Sequence, residues 1–239
     1  KMANMKQPMG IQEDGAQRIT GKDAQRMNIL AGKIVADIIK TTLGPRGMDK
    51  MLVDYTGDVM ITNDGATILN KIDISHPAAK MIVEVARTQD QEVGDGTTTA
   101  VVLAGELLKK AETLLDQEIH ATNIASGYKT ASEKADQILK ELGEKVTISD
   151  EDILFNIAKT GMTGKSAEKS IKNLAKIAVE AVKMISTKEN GSYSASKENI
   201  KIDAKPGGSL DDSTIIHGLI VDEKIADDGM PKKIKNAKI

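Results

Sequence analysis

The sequence predicts a mainly α-helical protein with small β elements. Long segments place their apolar residues three or four positions apart, which is the spacing of one face of a helix. The β-prone runs, by contrast, are short. The chain of 239 residues has one Phe, three Tyr and no Trp, so its core must come from Ile, Leu, Val, Ala and the 11 Met. Aliphatic side chains of this kind suit helices packed on helices.

The first predicted element is an amphipathic helix that begins near Asp23. Its apolar residues fall on one stripe, which we expect to be buried: Met27, Leu30, Ala31, Ile34, Val35 and Ile38. The helix should stop at Leu43-Gly44-Pro45, because Gly suits a left-handed cap and Pro cannot continue a helix. Residues 1–20 show no periodicity and are interpreted as a mobile arm.

A hairpin and a short helix should follow. The β-prone runs 50–54 and 59–62 flank a turn at 55–58, which indicates two paired strands. Asn63-Asp64-Gly65 is typical of a tight turn, and it leads into a short helix over 66–71.

Longer helices occupy the middle of the chain. Pro77 suits the first turn of a helix, which should run to about Gln91. Its buried face is expected to contain Met81, Ile82 and Val85. The later helices are expected to begin at Thr97 and to cover 122–142, 151–159 and 168–186, the third of them capped by Ser149-Asp150-Glu151.

The composition changes near Thr187. Residues 188–197 are polar and rich in Gly and Ser, whereas 200–202 and 214–221 have the composition of strands. We place domain boundaries between 145 and 150 and near 200.

Composition and charge exclude several classes of function. With 33 basic and 35 acidic residues the net charge is -2, and few aromatic side chains are present for stacking on bases, so no nucleic-acid partner is expected. The absence of Cys excludes disulfides, cysteine-zinc sites and thiol catalysis. No apolar run approaches the roughly 20 residues that cross a bilayer. Residues 1–16 are too polar for a secretory signal, so we expect no membrane partner and a cytoplasmic location.

One glycine-bearing break has the features of a phosphate site. In Gly94-Asp95-Gly96-Thr97-Thr98-Thr99 the start of a helix offers free N–H groups, hydroxyl donors and the positive end of the helix dipole. Asp95 adds a hard oxygen ligand that suits Mg²⁺. A helix that is broken by Gly and capped by Thr explains the same residues equally well, so the motif leaves both interpretations open.

The known mononucleotide and dinucleotide loops do not fit. Gly164-Lys165-Ser166 matches the end of a P-loop, but Lys159 stands where that motif begins with Gly. The dinucleotide fingerprint needs a small residue in place of Thr99 and a strand before the glycines, where the pattern is helical.

Asp64 and Lys165 each have two interpretations. Asp64 could orient a water or a metal-bound phosphate, and Lys165 could neutralise a terminal phosphate, since phosphoryl transfer depends on positioning and charge neutralisation. Taken singly, a turn-forming acid and a solvated lysine explain these residues more simply.

Taken together, the motifs resemble the group II chaperonins, which are the thermosome-type subunits of archaea and their cytosolic eukaryotic relatives. The matching stretches are 41–52 (TTLGPRGMDKML), 61–69 (ITNDGATIL), 76–80 (HPAAK), 91–99 (QEVGDGTTT) and 163–165 (TGK), followed by similarity over 218–233. The archaeal thermosome is the more similar of the two branches. Such subunits are more than twice this length, so we expect the chain to be their N-terminal half.

The resemblance implies three domains. A helical, ATP-binding equatorial domain would span 1–148, an intermediate hinge domain 149–204, and the start of an α/β apical domain 205–239. In such subunits the chain returns through each domain, so the returning halves are expected to be missing here.

The resemblance also implies a site for ATP and Mg²⁺. Asp64 would act in catalysis by positioning the attacking water near the γ-phosphate, and Asp95 would bind the metal. Thr163 and Lys165 would sense that phosphate on the hinge. The remaining expected contacts to the cofactor are Leu43, Gly44, Pro45, Gly65, Gly94, Gly96, Thr97, Thr98, Thr99 and Gly164.

The resulting hypothesis is an ATP hydrolase that folds proteins. Its partners would be other chaperonin subunits in a stacked double ring and unfolded proteins, around which ATP hydrolysis drives closure. The 239 residues alone are expected to be inactive. The alternative is a non-hydrolysing structural or interaction fragment of such a subunit. A small-molecule kinase that uses the same Gly/Thr loop would need a base at an acceptor site, and we recognise none.

Overall fold

The structure is a computed structural model that describes residues 19–165, 167–189, 191–221, 223–227 and 229–235. The predicted N-terminal arm lies, up to residue 18, outside the described residues. The helices are α1 (Gly21–Lys40), α2 (Gly65–Lys71), α3 (Pro77–Glu92), α4 (Thr97–Asp116), α5 (Ala121–Leu142), α6 (Glu151–Met162) and α7 (Ile171–Ile185). The strands are β1 (Lys50–Val53), β2 (Val59–Thr62), β3 (Thr187–Glu189) and β4 (Ser192–Ser194), and short 3-10 turns lie at Glu168–Ser170, Lys197–Asn199 and Leu210–Asp212. The predicted class, mainly α with small β elements, is confirmed.

Glycines and caps set the helix ends close to where the sequence predicts them. Gly44 follows α1 in the left-handed region, at φ +85°, and Pro77 is the first residue of α3. Gly96 precedes α4, also with a left-handed φ of +76°. His76 and His120 cap α3 and α5, because each imidazole Nδ1 accepts a hydrogen bond from a backbone N–H two residues ahead.

The core lies where α1, α3 and α4 pack against one another over α2. It is entirely aliphatic and consists of Val35, Ala36, Ile39, Ile68, Leu69, Ala79, Ile82, Val83, Ala86 and Val101. The Met residues were expected to contribute, but none of those that the structure describes is buried. No helix in the described part of the chain is long and apolar enough to span a membrane.

The buried face of α1 is rotated from the predicted stripe. The buried residues are Ile29, Gly32, Val35, Ala36 and Ile39, whereas Met27, Leu30 and Ile34 are about half exposed. The buried face of α1 carries Gly32 and Ala36, which let the neighbouring helices approach closely. The spacing of hydrophobic residues does not predict this face, because it takes no account of small residues. On α3, Met81 and Val85 were also expected to be buried, and both are exposed.

The predicted first hairpin is confirmed, whereas the prediction of strands near the end of the chain is wrong. β1 and β2 pair antiparallel, with Lys50 opposite Thr62 and Val53 opposite Val59. At 200–202 and 214–221 the chain forms no strand, because no described segment pairs with it. A second hairpin lies instead in the polar stretch, where β3 and β4 pair around Gly191 at φ +84°.

The helices after α4 are less buried. Ile124 is the one residue of α5 that is buried, and the Tyr128 hydroxyl holds α5 to α4 by donating to the Leu107 carbonyl at 2.7 Å. α6 packs against α7, and an ion pair joins Glu151 to Lys183. Residues 163–165, which follow α6, reach the first four helices and complete the site described next.

Candidate phosphate-binding site

A cleft of about 520 Å³ lies where four separate segments meet. These are the turn after α1, the turn before α2, the loop between α3 and α4, and the end of α6 with its following break. All the predicted site residues except Gly94 line this cleft: Leu43, Gly44, Pro45, Asp64, Gly65, Asp95, Gly96, Thr97, Thr98, Thr99, Thr163, Gly164 and Lys165. Gly94 instead follows the end of α3, where its N–H donates to the Gln89 carbonyl at 3.1 Å.

The N-terminus of α4 opens directly into the cleft. Its N-cap is Gly96, which has no side chain to accept from the first-turn N–H groups. The helix is 20 residues long, and its first residues are three threonines. Unsatisfied N–H groups, hydroxyls and the positive end of the helix dipole therefore face one space, which is the arrangement that binds anions.

Asp95 is held by its backbone and leaves its carboxylate free. Gln89 Nε2 donates to the Asp95 carbonyl at 2.8 Å, which fixes the loop between two left-handed glycines. The Asp95 side chain is exposed and has no hydrogen-bond or ion-pair partner among the described residues. Its carboxylate is thus available to a ligand in the cleft.

Gly65 lets the start of α2 lie against the start of α4. A Cβ at this position would lie 2.5 Å from Thr98 Oγ1 and 3.2 Å from Thr98 N. Both distances are shorter than van der Waals contact, so only Gly fits without displacing the first turn of α4. Residue 65 thereby sets how close Asp64 lies to the threonines.

Asp64 uses its two carboxylate oxygens for different purposes. Oδ2 caps α2 by accepting from the Thr67 N–H at 2.9 Å and from the Thr67 hydroxyl at 2.7 Å. Oδ1 lies 3.8 Å from Lys165 Nζ. The cap fixes the carboxylate, and the second oxygen stays available beside the cleft.

The break after α6 reaches the cleft through Gly164. This residue has a left-handed φ of +76°, and a Cβ on it would lie 3.2 Å from Pro45 Cα. The Asn63 side-chain amide donates to the Gly164 carbonyl. The Thr163 hydroxyl donates to the Lys159 carbonyl at 2.9 Å, so its proton is committed to α6.

The carboxylates of the cleft fit a phosphate-bound Mg²⁺ better than a site made by protein alone. Asp64 and Asp95 are the acidic residues that line it, and Lys165 is the basic one. No group of three or more His, Cys, Asp or Glu side chains is gathered anywhere in the described residues. Mg²⁺ typically takes one or two carboxylates and completes its shell with phosphate and water.

Four lining residues were not predicted: Thr42, Asn63, Thr160 and Gly161. The Thr42 hydroxyl donates to the Ile39 carbonyl of α1 and the Thr160 hydroxyl to the Asn156 carbonyl of α6, so no local motif marks them. Gly161 lies between the predicted helix over 151–159 and the motif at 163–165, and Asn63 precedes Asp64 in the same turn. Their position close to predicted site residues was therefore the signal that could have identified Gly161 and Asn63 as part of the cleft.

Comparisons with known proteins agree with the motifs. The sequence model of the TCP-1/cpn60 chaperonin family matches residues 35–239. A thermosome subunit beta from Archaeoglobus fulgidus is 57% identical over 233 residues, which cover 98% of this chain and 43% of the relative. A thermosome subunit from Pyrococcus horikoshii is 56% identical, covering 98% of this chain and 42% of the relative. A thermosome subunit beta from Methanothermobacter thermautotrophicus is 56% identical over 238 residues, which are 100% of this chain to the nearest per cent and 43% of the relative.

The fold, the cleft and these matches define a class: the chain belongs to the TCP-1/cpn60 chaperonin family. Within that family it is similar to archaeal thermosome subunits, so the resemblance to group II chaperonins is confirmed. The chain spans less than half of the length of these relatives.

Proposed function

We propose that the full-length protein is an ATP-dependent protein-folding chaperonin subunit that binds ATP with Mg²⁺ in the cleft. One observation carries the proposal. Four segments that lie far apart in the sequence bring glycines, hydroxyls, two carboxylates and one lysine together at an open helix N-terminus. Each segment taken by itself can be explained as a helix cap or a turn. A cap or a turn does not, however, require the four segments to meet in one cleft.

The phosphate chain belongs at the start of α4. Thr97, Thr98 and Thr99 would bind it through N–H and hydroxyl groups, and the turn Leu43-Gly44-Pro45 would contact the rest of the nucleotide. Asp95 would hold Mg²⁺, because its exposed carboxylate is unpaired among the described residues. When bound, Mg²⁺ would neutralise the charge of the phosphates.

Asp64 would orient the water that attacks the terminal phosphate. Its Oδ2 is engaged by Thr67, so Oδ1 is the oxygen that would accept a hydrogen bond from that water. Lys165, 3.8 Å from Oδ1, would sense the terminal phosphate by exchanging one anionic partner for another. Because the lysine follows α6, this exchange would be transmitted to the α6–α7 pair and to domain closure.

The proposal includes partners and a location. The relatives are named as subunits, and several large apolar side chains are well exposed here, among them Met51, Leu139 and Leu142. Exposed apolar surface of this kind calls for cover. We propose that other segments of the subunit and neighbouring subunits of a stacked double ring provide it, that unfolded proteins are the substrates, and that the protein acts in the cytoplasm.

The test is Asp64→Asn and Asp95→Asn in the full-length protein. Asn at position 64 can still cap α2, so we expect nucleotide affinity to be kept while ATP turnover falls by about 10²-fold or more. Asp95→Asn should weaken binding of ATP with Mg²⁺ as well as turnover. Asp73→Asn, at an exposed aspartate outside the cleft, is the control. Turnover that survives in both cleft variants would refute the assignment.

A further inference from the structure

One hydrogen bond fastens the break after α6 to the rest of the cleft. The Asn63 Nδ2 atom donates to the Gly164 carbonyl, between half-buried residues that are 101 positions apart. Among the described residues, no other hydrogen bond links 163–165 to the segments that precede α6. The other direct polar link is the 3.8 Å approach of Lys165 to Asp64, the residue next to Asn63.

The other hydrogen bonds of residues 163–165 are short-range. The Thr163 N–H donates to the Thr160 carbonyl at 3.2 Å, and the Lys165 N–H donates to the Met162 carbonyl at 3.3 Å. These short-range bonds shape the turn without placing it against the cleft. Gly164 packs against Pro45, but van der Waals contact alone does not fix the direction of a carbonyl. The Asn63 amide does fix it, because the donor and its acceptor must be aligned.

The two links also differ in what a ligand does to them. The Lys165 ammonium is a mobile charge on a flexible stem, and an anion in the cleft can draw it away from Asp64. The Asn63 amide is neutral and donates to a backbone carbonyl, so an anion has no such effect on it. The backbone of the break therefore stays in place while the lysine changes partner.

We propose that Asn63 is a positioning residue that holds the Gly164 carbonyl and thereby keeps Lys165 at the cleft. The role in turnover rests on the proposed function, in which Lys165 senses the terminal phosphate. The placement of the break does not, because it depends only on the hydrogen bond between Asn63 and Gly164. Asn63 acts through Lys165 and does not itself take part in the chemistry.

Amide hydrogen exchange without nucleotide tests the placement. In Asn63→Ala, exchange at the Lys165 amide should become faster than in the wild type, because the turn loses its anchor. Asn63→Asp has nearly the same shape but no donor, and it should behave in the same way. Asn28→Ala, at an exposed position of α1, is the matched control and should leave exchange at this amide unchanged.

A double-mutant cycle tests the link to Lys165. For Asn63→Ala we expect kcat for ATP hydrolysis to fall about tenfold and KM to change less than about threefold, because the contacts at 43–45 and 96–99 remain. In a Lys165→Ala background the same substitution should lower kcat by less than about twofold. A residue that only stabilised the fold would lower activity by similar factors in both backgrounds.

The outcomes separate the two proposals. Unchanged exchange at Lys165 in both Asn63 variants, or full additivity with Lys165→Ala, overturns the positioning role. A wild-type protein without ATPase activity whose Asn63 variants still exchange faster at Lys165 would count against the proposed function and support the placement. Size-exclusion chromatography identifies any variant that fails to assemble, and Asn63→Asp decides the matter if Asn63→Ala does not fold.

Discussion

Gly105 of α4 lies directly against Ala36 of α1: a Cβ added at position 105 would be 2.3 Å from the Ala36 Cβ. Gly32 repeats the arrangement one turn away, since a Cβ there would lie 2.6 Å from Leu108 Cδ1. A glycine on each helix thus allows the two helices to approach closely, and this close approach brings the start of α4 to the turn after α1.

Gly105→Ala is therefore expected to destabilise the protein. Overpacking a close helix contact costs about 1–3 kcal/mol, and the gain in helix propensity returns at most about 1 kcal/mol. Ala36 has no flexible end that could move aside, so we expect a lower unfolding midpoint by circular dichroism. Gly127→Ala, in open space on α5, is the matched control and should raise the midpoint slightly. A Gly105→Ala protein as stable as the Gly127→Ala protein would contradict the packing argument.

Gly65→Ala should weaken nucleotide binding more than it weakens the fold. The added Cβ would lie 2.5 Å from Thr98 Oγ1 and would push the first turn of α4 away from Asp64. We expect the affinity for a fluorescent ATP analogue to fall about tenfold, equivalent to about 1.4 kcal/mol. Gly127→Ala should bind as the wild type does. Unchanged affinity in Gly65→Ala would mean that the spacing of the two helix starts does not shape the site.

The sequence predicts most helix bounds because their signals are local. Pro77 begins α3, and the glycines at 94 and 96 lie between α3 and α4, where proline and glycine geometry permits little else. The turn Asn63-Asp64-Gly65 likewise predicts where α2 begins. These residues carry their structural information within one turn of the chain.

Long-range placement leaves no such local signal. Nothing around Gly164 indicates that it lies against Pro45, or that Asn63 donates to its carbonyl. The buried face of α1 was misplaced for a related reason: Gly32 and Ala36 are buried because of what packs on them, and their own hydrophobicity is slight. The composition of 214–221 predicted a strand wrongly, because a strand forms only where another segment of the chain pairs with it.

Asp150 is expected to give the protein a local sensitivity to acid. Its Oδ2 accepts from the Thr147 N–H at 2.7 Å and from the Thr147 hydroxyl at 2.8 Å. These hydrogen bonds hold the pKa of Asp150 below its ordinary value of 3.8. Because the pKa is lowered in the folded state, the contribution to stability is complete above about pH 4 and is lost as the pH falls through the folded pKa.

The test compares Asp150→Asn with the wild type across pH. The wild type should be the more stable at pH 7, and the difference in unfolding midpoint should shrink as the pH falls below about 4 and through the lowered pKa of the folded Asp150 carboxylate. Asp73→Asn, at an exposed aspartate with no hydrogen bond to the described residues, should show little pH-dependent difference. A gap between Asp150→Asn and the wild type that stays constant from pH 7 to about pH 3 would show that the Thr147 contacts do not stabilise the charged form.

Three ion pairs along one side of α1 and α4 should contribute unequally. Arg26 pairs with Asp116 at 2.9 Å, Lys33 with Glu112 at 2.7 Å and Lys40 with Glu106 at 2.6 Å, so the basic partners recur every seven residues. The Lys33 and Glu112 side chains are 26% and 31% exposed, against 64% and 53% for Arg26 and Asp116. Water and salt screen the more exposed pair more strongly.

We therefore expect double-mutant cycles to give a coupling of about 0.5–1 kcal/mol for Lys33 with Glu112 and a smaller one for Arg26 with Asp116. In about 1 M NaCl the second coupling should nearly vanish while part of the first persists, because partly buried charges are less accessible to ions. Chemical unfolding of the four single and two double alanine variants at low and high salt measures the coupling energy of each ion pair and its dependence on salt. Equal couplings with equal salt dependence would show that burial at the α1–α4 seam does not distinguish these pairs.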